Sequence, residues 1–333
     1  MDKKKNIQEF INKPKYLKDK FEYAKKCLIQ INLKKLFFFL IMIVLLLYNK
    51  YYIKINTKIC LCVIAKNENL YVREFVEHYK KIGYNNIFLY DNNDKNGENF
   101  EEVIDDYIKS GFVKIIDYRE RNNKTKPIFD AYKDCYSKNK NLYNWLSFYD
   151  MDEFLEINQK YKNIQDFLND GIFKHCYNIK INWLIYKNQN SLYFENKPLQ
   201  QRIKTYDFKD SKNKHIKSTI RGNLAVNYWN DIPNPHSSNL NITTCSSSGK
   251  LIEYNSPFNF PPDYTNAKLK HYYYKSFEEY CIKINRGKCD YSKFNSNQLA
   301  KIYFKRLYNA NKNDTKKLLI MKSIFKDSIY NIT

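Results

Sequence analysis

The stretch NWLSFYDMDEFL, Asn144 to Leu155, joins an apolar, aromatic run to a burst of acid. Trp145, Leu146, Phe148 and Tyr149 form a run short enough for a buried strand, which delivers Asp150, Asp152 and Glu153 at its carboxyl end. In an extended chain successive side chains alternate, so Asp150 and Asp152 are expected on one side and Met151 on the other. Two neighbouring carboxylates present hard oxygens suited to Mg²⁺ or Mn²⁺, ions that keep positions for water and substrate phosphates. A solvated acidic turn could use the same residues. The strand before it, the apolar Phe154 and Leu155 after it, and the rest of the chain favour a metal site.

Working outward, the pattern on the amino-terminal side alternates strand and helix. CLCVIA (Cys60 to Ala65) reads as a buried strand, and Asn69 to Ile82 as an amphipathic helix closed by Gly83. Leu70, Val72, Phe75, Val76 and Tyr79 are available for its apolar face. NIFLYD (Asn86 to Asp91) is a second strand ending in a carboxylate, and the turn-rich NNDKNG leads to a helix from about Glu98 to Ser110. Phe112 to Ile116 gives a third strand, Ile128 to Lys138 a helix, and Trp145 to Tyr149 the fourth strand. This order predicts an α/β protein with a mostly parallel, Rossmann-like sheet flanked by helices. Ligand groups are then expected at the carboxyl ends of strands, where Asp91 and Asp150 fall. After Leu155 the regularity fades. Ile164 to Leu168 reads as a helix, Tyr177 to Tyr186 as a long strand, and 187–266 as loop, with Pro198, Pro233, Pro235, Pro257, Pro261 and Pro262 as punctuation. Helical signals return from Ser276 to Ile284 and from Ser296 to about Ser328.

A chain of 333 residues can hold one large domain or two small ones with appendages. Its net charge of +22 is spread along the chain and accompanies no nucleic-acid motif. It favours anionic partners such as a nucleotide diphosphate or an acidic membrane surface, and no nucleic-acid partner is expected. The eight cysteines contain no CxxC and so no zinc pattern, and their pairing is left open. Residues 1–35 form a basic tail with Pro14 as a breaker, followed by the apolar LFFFLIMIVLLLY, Leu36 to Tyr48. That run falls short of the ~20 residues that span a bilayer. Lys34, Lys35 and Lys50 can snorkel, and Tyr51 and Tyr52 suit an interface, so 36–53 is read as a membrane-anchor helix. The lysine-rich tail is then cytoplasmic. The remainder would face the Golgi or ER lumen in a eukaryote, or be held at the cytoplasmic face in a bacterium.

Seven motifs follow in order: KNE (Lys66 to Glu68), REFVEHY (Arg73 to Tyr79), YDN (Tyr90 to Asn92), AYKDC (Ala131 to Cys135), DMDEF (Asp150 to Phe154), HYYYKS (His271 to Ser276) and RG (Arg286-Gly287). With them the chain resembles the GT-A glycosyltransferases, and within those glycosyltransferase family 92 and its bacterial family 2-like relatives. The resemblance covers about 58–290. It implies a nucleotide-sugar half over 58–155, an acceptor half over 156–290, and a separate C-terminal helical segment over 291–333. It also implies a metal-dependent, inverting transfer of a hexose, galactose foremost, from a UDP-sugar to a glycan acceptor. Asp150 and Asp152, with His271, are implied to hold Mn²⁺ or Mg²⁺ against the diphosphate, and Lys275 and Arg286 to neutralise phosphate oxygens. Lys66, Asn67 and Glu68 are implied to approach the nucleotide, with Asp91 and Asn92 at the ribose or base. Helix capping would equally use Glu68, and a turn would equally use Asp91. An inverting reaction needs a carboxylate base. Glu153, nearest in sequence to the metal pair, and Asp231, the weaker of the two, are the candidates, and Glu153 could equally orient a neighbour. His236 and Arg221 are secondary candidates. Ile128 stands where the family often has Gln, and Phe75 where Trp is common, while 187–266 matches no motif. Two other classes compete. A nucleotidyltransferase would favour a glycine-rich loop after the first strand, which KNEN lacks; a membrane-tethered glycan- or ion-binding protein would show no turnover.

Overall fold

The computed structural model describes residues 3–120, 127–187, 191–224, 236, 242–252, 256–285, 319–320 and 323–324. The chain divides into two units, Met1–Asn56 and Thr57–Thr333.

The first unit is one helix, α1 (Lys3–Asn56). It runs through Pro14, where a break was expected. Proline removes one hydrogen bond and crowds one turn, a local penalty of about 3 kcal/mol that a helix this long can absorb. The apolar side chains from Leu36 to Tyr48 are exposed on it. Among the described residues, however, no helix is long and apolar enough to cross a membrane. Thirteen residues rise about 20 Å at 1.5 Å each, against a hydrocarbon core of about 30 Å. The anchor expected over 36–53 therefore gains no support from the structure.

The second unit is built on a nine-stranded sheet. Its elements in chain order are β1 (Ile59–Ala65), α2 (Asn69–Lys81), β2 (Asn86–Asp91), α3 (Glu101–Lys109), β3 (Val113–Asp117), α4 (Pro127–Asn139), β4 (Trp145–Phe148), β5 (Glu153–Ile157) and α5 (Ile164–Leu168). There follow β6 (Asn178–Ile185), α6 (Leu199–Arg202), β7 (Ile216–Arg221), β8 (Thr244–Ser246), β9 (Ala267–His271) and α7 (Phe277–Asn285). The strand order is β3-β2-β1-β4-β7-β6-β9-β5, with β8 on β6.

Only half of this sheet has the parallel character expected. β3, β2, β1 and β4 run parallel because each is joined to the next by a helix that carries the chain back to the starting edge. Beyond β4 the pairing is mixed: β4–β7, β7–β6 and β9–β5 are antiparallel, whereas β6–β9 and β6–β8 are parallel. That is also where the alternation of strand and helix patterns fades in the sequence. The second helical signal, Ser296 to Ser328, and the segment 291–333 lie almost wholly outside the described residues.

Strand alternation divides the core. Ile59, Leu61 and Val63 pack with Phe75, Tyr79 and Phe154, while Cys62 and Ile64 join Tyr132, Tyr136 and Phe148 on the other side. Among the described residues each side holds one disulfide. Cys62 of β1 bonds Cys135 of α4, and Cys176, just before β6, bonds Cys245 of β8. Cys60 and Cys281 are buried free thiols. The bonds span sequence separations of 73 and 69 residues, and closing loops of that length restricts the unfolded chain by about 4 kcal/mol each. Non-reducing peptide mapping is therefore expected to recover these two pairs, with Cys60 and Cys281 unlinked. Removing either bond should lower Tm by on the order of 10 °C.

Candidate active site

β4 ends at Phe148 and the chain then bends back on itself. The Glu153 N–H donates to the Asp150 carbonyl (3.0 Å), and the Asp150 N–H donates to Glu153 Oε2 (2.9 Å). The strand-like alternation expected for Asp150 and Asp152 does not apply in this turn, and the two carboxylates meet different partners. Asp150 faces Lys217 of β7, whose Nζ lies 2.8 Å from Oδ2, and the Tyr132 hydroxyl donates to Oδ1 at 3.2 Å. Asp152 has His271 Nε2 at 3.4 Å from Oδ1 and Lys283 Nζ on Oδ2, and its carbonyl accepts from the Tyr272 N–H (2.9 Å).

Charge decides the protonation of this turn. Burial opposes ionisation of Asp150, yet Lys217 outweighs it and holds the carboxyl below its ordinary range. Burial likewise opposes ionisation of Asp152, where Lys283 and His271 prevail and Lys275 adds to them. Glu153 goes the other way: burial, reinforced by the charge of Asp150, raises it well above the usual carboxylate value despite Lys217. The turn thus carries two carboxyls held toward the ionised form above a fully buried third held toward the neutral one.

Lys275 links this turn to the end of β1. It adopts a left-handed backbone (φ 51°), lies 3.3 Å above the centre of the Tyr71 ring and reaches buried Glu68 at 3.4 Å. Glu68 does not use its side chain to cap α2; Glu98 Oε2 instead accepts the Asn69 N–H at 2.8 Å. Asn67 is also left-handed (φ 53°), its N–H donating to Asn93 Oδ1 (2.8 Å), and Lys66 pairs with Asp94 (2.7 Å). At the end of β2, Asp91 is buried. It accepts Arg119 Nε (2.9 Å) and an Arg119 terminal nitrogen (2.7 Å) on Oδ2, and the Asn93 N–H on Oδ1 (2.9 Å). The turn role of Asp91 is thus present in the fold. Asn92 beside it is buried.

On the other flank, Trp183 of β6 is surrounded by three imidazoles. His215 stacks on it at 4.8 Å between ring centres, while His271 (4.3 Å) and His236 (5.6 Å) meet it edge-on. Among the described residues, Trp183 Nε1 and His271 Nδ1 are buried without a hydrogen-bond partner. His236 therefore joins the group of candidates, but Arg221 does not. Arg221 opposes Trp145 in the β4–β7 register, at the far end of β4. It lies 4.4 Å over that indole and donates from Nε to the Cys176 carbonyl (2.7 Å). Asp231 and Arg286 lie outside the described residues.

The fold thus gathers Glu68, Asp150, Asp152, Glu153, His271 and Lys275, with Lys66, Asn67 and Asn92 on the adjoining loops and Asp91 at the end of β2. Two carboxylates and an imidazole are donor types that fit a hard divalent ion. The contact formed is between Asp152 and His271, and among the described residues no three His, Cys, Asp or Glu side chains converge on one point. Sequence reasoning missed Lys217, Lys283, Arg119, Tyr132 and Trp183. Tyr132 had a signal, because it is the Tyr of AYKDC. Nothing local separates Lys217, Lys283 and Arg119 from the other cations among 57 Lys and Arg.

The family model of glycosyltransferase family 92 matches residues 56–298, most of the second unit. The chain belongs to glycosyltransferase family 92. A family 92 protein of rice, Oryza sativa subsp. japonica, is 28% identical over 115 residues, covering 32% of this chain and 18% of the relative. One from Ricinus communis is 27% identical over 105 residues, covering 30% and 17%. The matches thus span less than a fifth of those relatives' own length. Among solved structures, S. aureus TarS 1-349 in complex with UDP-GlcNAc is similar over 83% of this chain and 80% of that one, with 12% identity and a TM-score of 0.34. A second TarS structure covers 83% and 49% at the same TM-score and identity.

The imidazoles of this family 92 chain make its stability depend on pH. Burial, helped by the charge of Lys217, lowers His236 to about 3, and burial also lowers His215 and His271. Below about pH 6.5 the unfolded chain takes up these protons while the folded one does not, so their contribution falls as pH falls. The raised Glu153 acts in the opposite direction, so the test is a difference. Between pH 6.5 and about 4.5, Tm of a His236→Asn variant should change less steeply in the acid direction than that of the wild type, measured by differential scanning calorimetry.

Proposed function

We propose that this chain transfers a hexose, with galactose as the donor sugar to try first, from a UDP-sugar to a glycan acceptor with inversion and with Mn²⁺ or Mg²⁺. The observation that carries this reading is the convergence on Asp152. His271, Lys275 and Lys283, more than a hundred residues away in sequence, bring an imidazole and two cations to an acidic turn at the carboxyl end of a parallel strand. Breaking a sugar–phosphate bond leaves a diphosphate with added negative charge, and fixed cations aimed at that charge lower the barrier. Lys275, Lys283 and Arg286 are assigned this task.

Asp150 and Asp152, with His271, would hold the divalent ion, which would supply further positive charge at the diphosphate. Lys66, Asn67 and Glu68 are assigned to the nucleotide, with Asp91 and Asn92 at the ribose or base. Glu153 is sealed under the turn and accepts the Asp150 N–H, which suits it to positioning. The role of proton acceptor from the glycan hydroxyl is therefore assigned to Asp231 in preference to Glu153. The two disulfides favour an oxidising compartment such as the ER or Golgi lumen, with the exposed apolar side chains of 36–48 as the membrane contact.

The test is UDP release by the full-length chain from a panel of UDP-hexoses, with Mn²⁺ or with EDTA. One donor should release UDP only with metal present, and Asp150→Asn and Asp152→Asn should each lower the rate by about 100-fold or more. Turnover unaffected by EDTA would remove the metal from the mechanism and leave the transferase. A folded protein with neither UDP release nor UDP binding would instead be a glycan-binding member of the fold.

A further inference from the structure

Lys217 has no exposed surface, whereas the Asp150 side chain it pairs with is 35% exposed. The pair therefore presents only its carboxylate to the site. β7 carries Lys217 there because it runs antiparallel to β4 with Thr219 opposite Ser147, so that two residues earlier in β7 the chain lies beneath the acidic turn. From that position Nζ lies 2.8 Å from Asp150 and 3.8 Å from Glu153. The second hold on Asp150 is the Tyr132 hydroxyl, which is 3.2 Å from both Oδ1 and the Tyr149 carbonyl. Tyr132 lies on α4 three residues before Cys135, which is cross-linked to Cys62 of β1. One oxygen of Asp150 is thus held from the sheet and the other from a helix covalently tied to the sheet.

A wholly buried lysine is an expensive way to fill space, since replacing buried ion pairs with apolar residues often leaves a fold as stable or more so. Its retention purely for structure is the plainer explanation. That explanation requires only that Lys217 neutralise its neighbours, and it predicts no effect on ligands. The geometry points further. We propose that Lys217 is a positioning residue for donor binding: acting through Asp150 and together with Tyr132, it fixes the one partly exposed carboxylate of the turn in the orientation that meets the nucleotide diphosphate and its ion. This rests on the transferase reading above.

The test is a double-mutant cycle in the full-length chain. Calorimetric titration with UDP and Mn²⁺ is measured alongside turnover and Tm for Lys217→Met, Tyr132→Phe, Asp150→Asn and the two double variants with Asp150→Asn. Lys217→Met and Tyr132→Phe are each expected to weaken UDP binding about tenfold or more, the usual effect of removing a group that orients a ligating side chain. Neither should weaken it further once Asp150 is already Asn, because a residue that acts through another has nothing left to act on. Multiplying effects, or a Lys217→Met protein with lowered Tm and unchanged UDP affinity, would overturn the proposal. If Lys217→Met does not fold, the Tyr132→Phe cycle decides in the same way: unchanged UDP affinity, or an effect that multiplies with Asp150→Asn, overturns it. Wild-type protein that binds no UDP overturns the transferase reading and this proposal together. Wild-type protein that binds and turns over, with effects that multiply, overturns this proposal alone.

Discussion

Three carboxyl groups within four residues cannot all be buried and ionised side by side, and the second unit is arranged around meeting that constraint at Asp150–Glu153. Lys217 arrives from β7 and Lys283 from α7, each pairing with one aspartate. The third group, Glu153, is pushed toward its neutral form by burial and by the charge of Asp150. In a low-dielectric setting an unpaired charge is far more unfavourable than a paired one, so the turn is stable only if β7 and α7 are correctly placed around it. The acidic turn is therefore also a checkpoint of the tertiary structure. It forms properly only when segments 67 and 131 residues further along the chain have docked.

The same logic ties the two halves of the sheet together. The parallel half delivers Glu68, Asp91 and Asp150 at the carboxyl ends of its strands, as a sheet wound through helical crossovers must. The mixed half delivers Lys217, Trp183 and His271 to the same edge, with β7 antiparallel to β4 and to β6, and β9 parallel to β6. Lys275 bridges the two, with its ammonium group between Glu68 and the Tyr71 ring and its charge felt at Asp152. Tyr71 in turn donates to Glu279, which Arg202 also holds, so α2, α6 and α7 share one buried polar network. Such a network restricts the site to one arrangement because each member leaves another unsatisfied if it moves.

Much of the fold was legible because its signals are local. The helix Asn69–Lys81 shows the 3.6-residue periodicity that burial on one face imposes, and β1, β2 and β4 show the short apolar runs of strands buried on both faces. Even α5 matches its sequence reading, Ile164 to Leu168, residue for residue. Less legible was the conformation of Asp150–Glu153. An extended strand and a tight turn accept the same residues, and the two hydrogen bonds that select the turn, one between backbone groups and one from the Asp150 N–H to the Glu153 carboxyl, depend on Glu153 folding back. Arg221 was misplaced for a related reason. Its type suited a site, but strand register put it at the opposite end of β4, against Trp145.

What the sequence by itself determined is the α/β order of the first half, the acidic cluster at the end of β4, and the set of motifs that marks family 92. These are properties of short windows, in which side-chain type and spacing carry the physics. Only the tertiary structure decided which cations answer that acid. Lys217, Lys283 and Arg119 resemble every other basic residue in a chain of net charge +22. What distinguishes them is burial and distance to a carboxylate, quantities that exist only after strands far apart in sequence have paired. It also decided that Cys62 pairs with Cys135 and Cys176 with Cys245, since among eight cysteines the partner is set by which elements pack side by side.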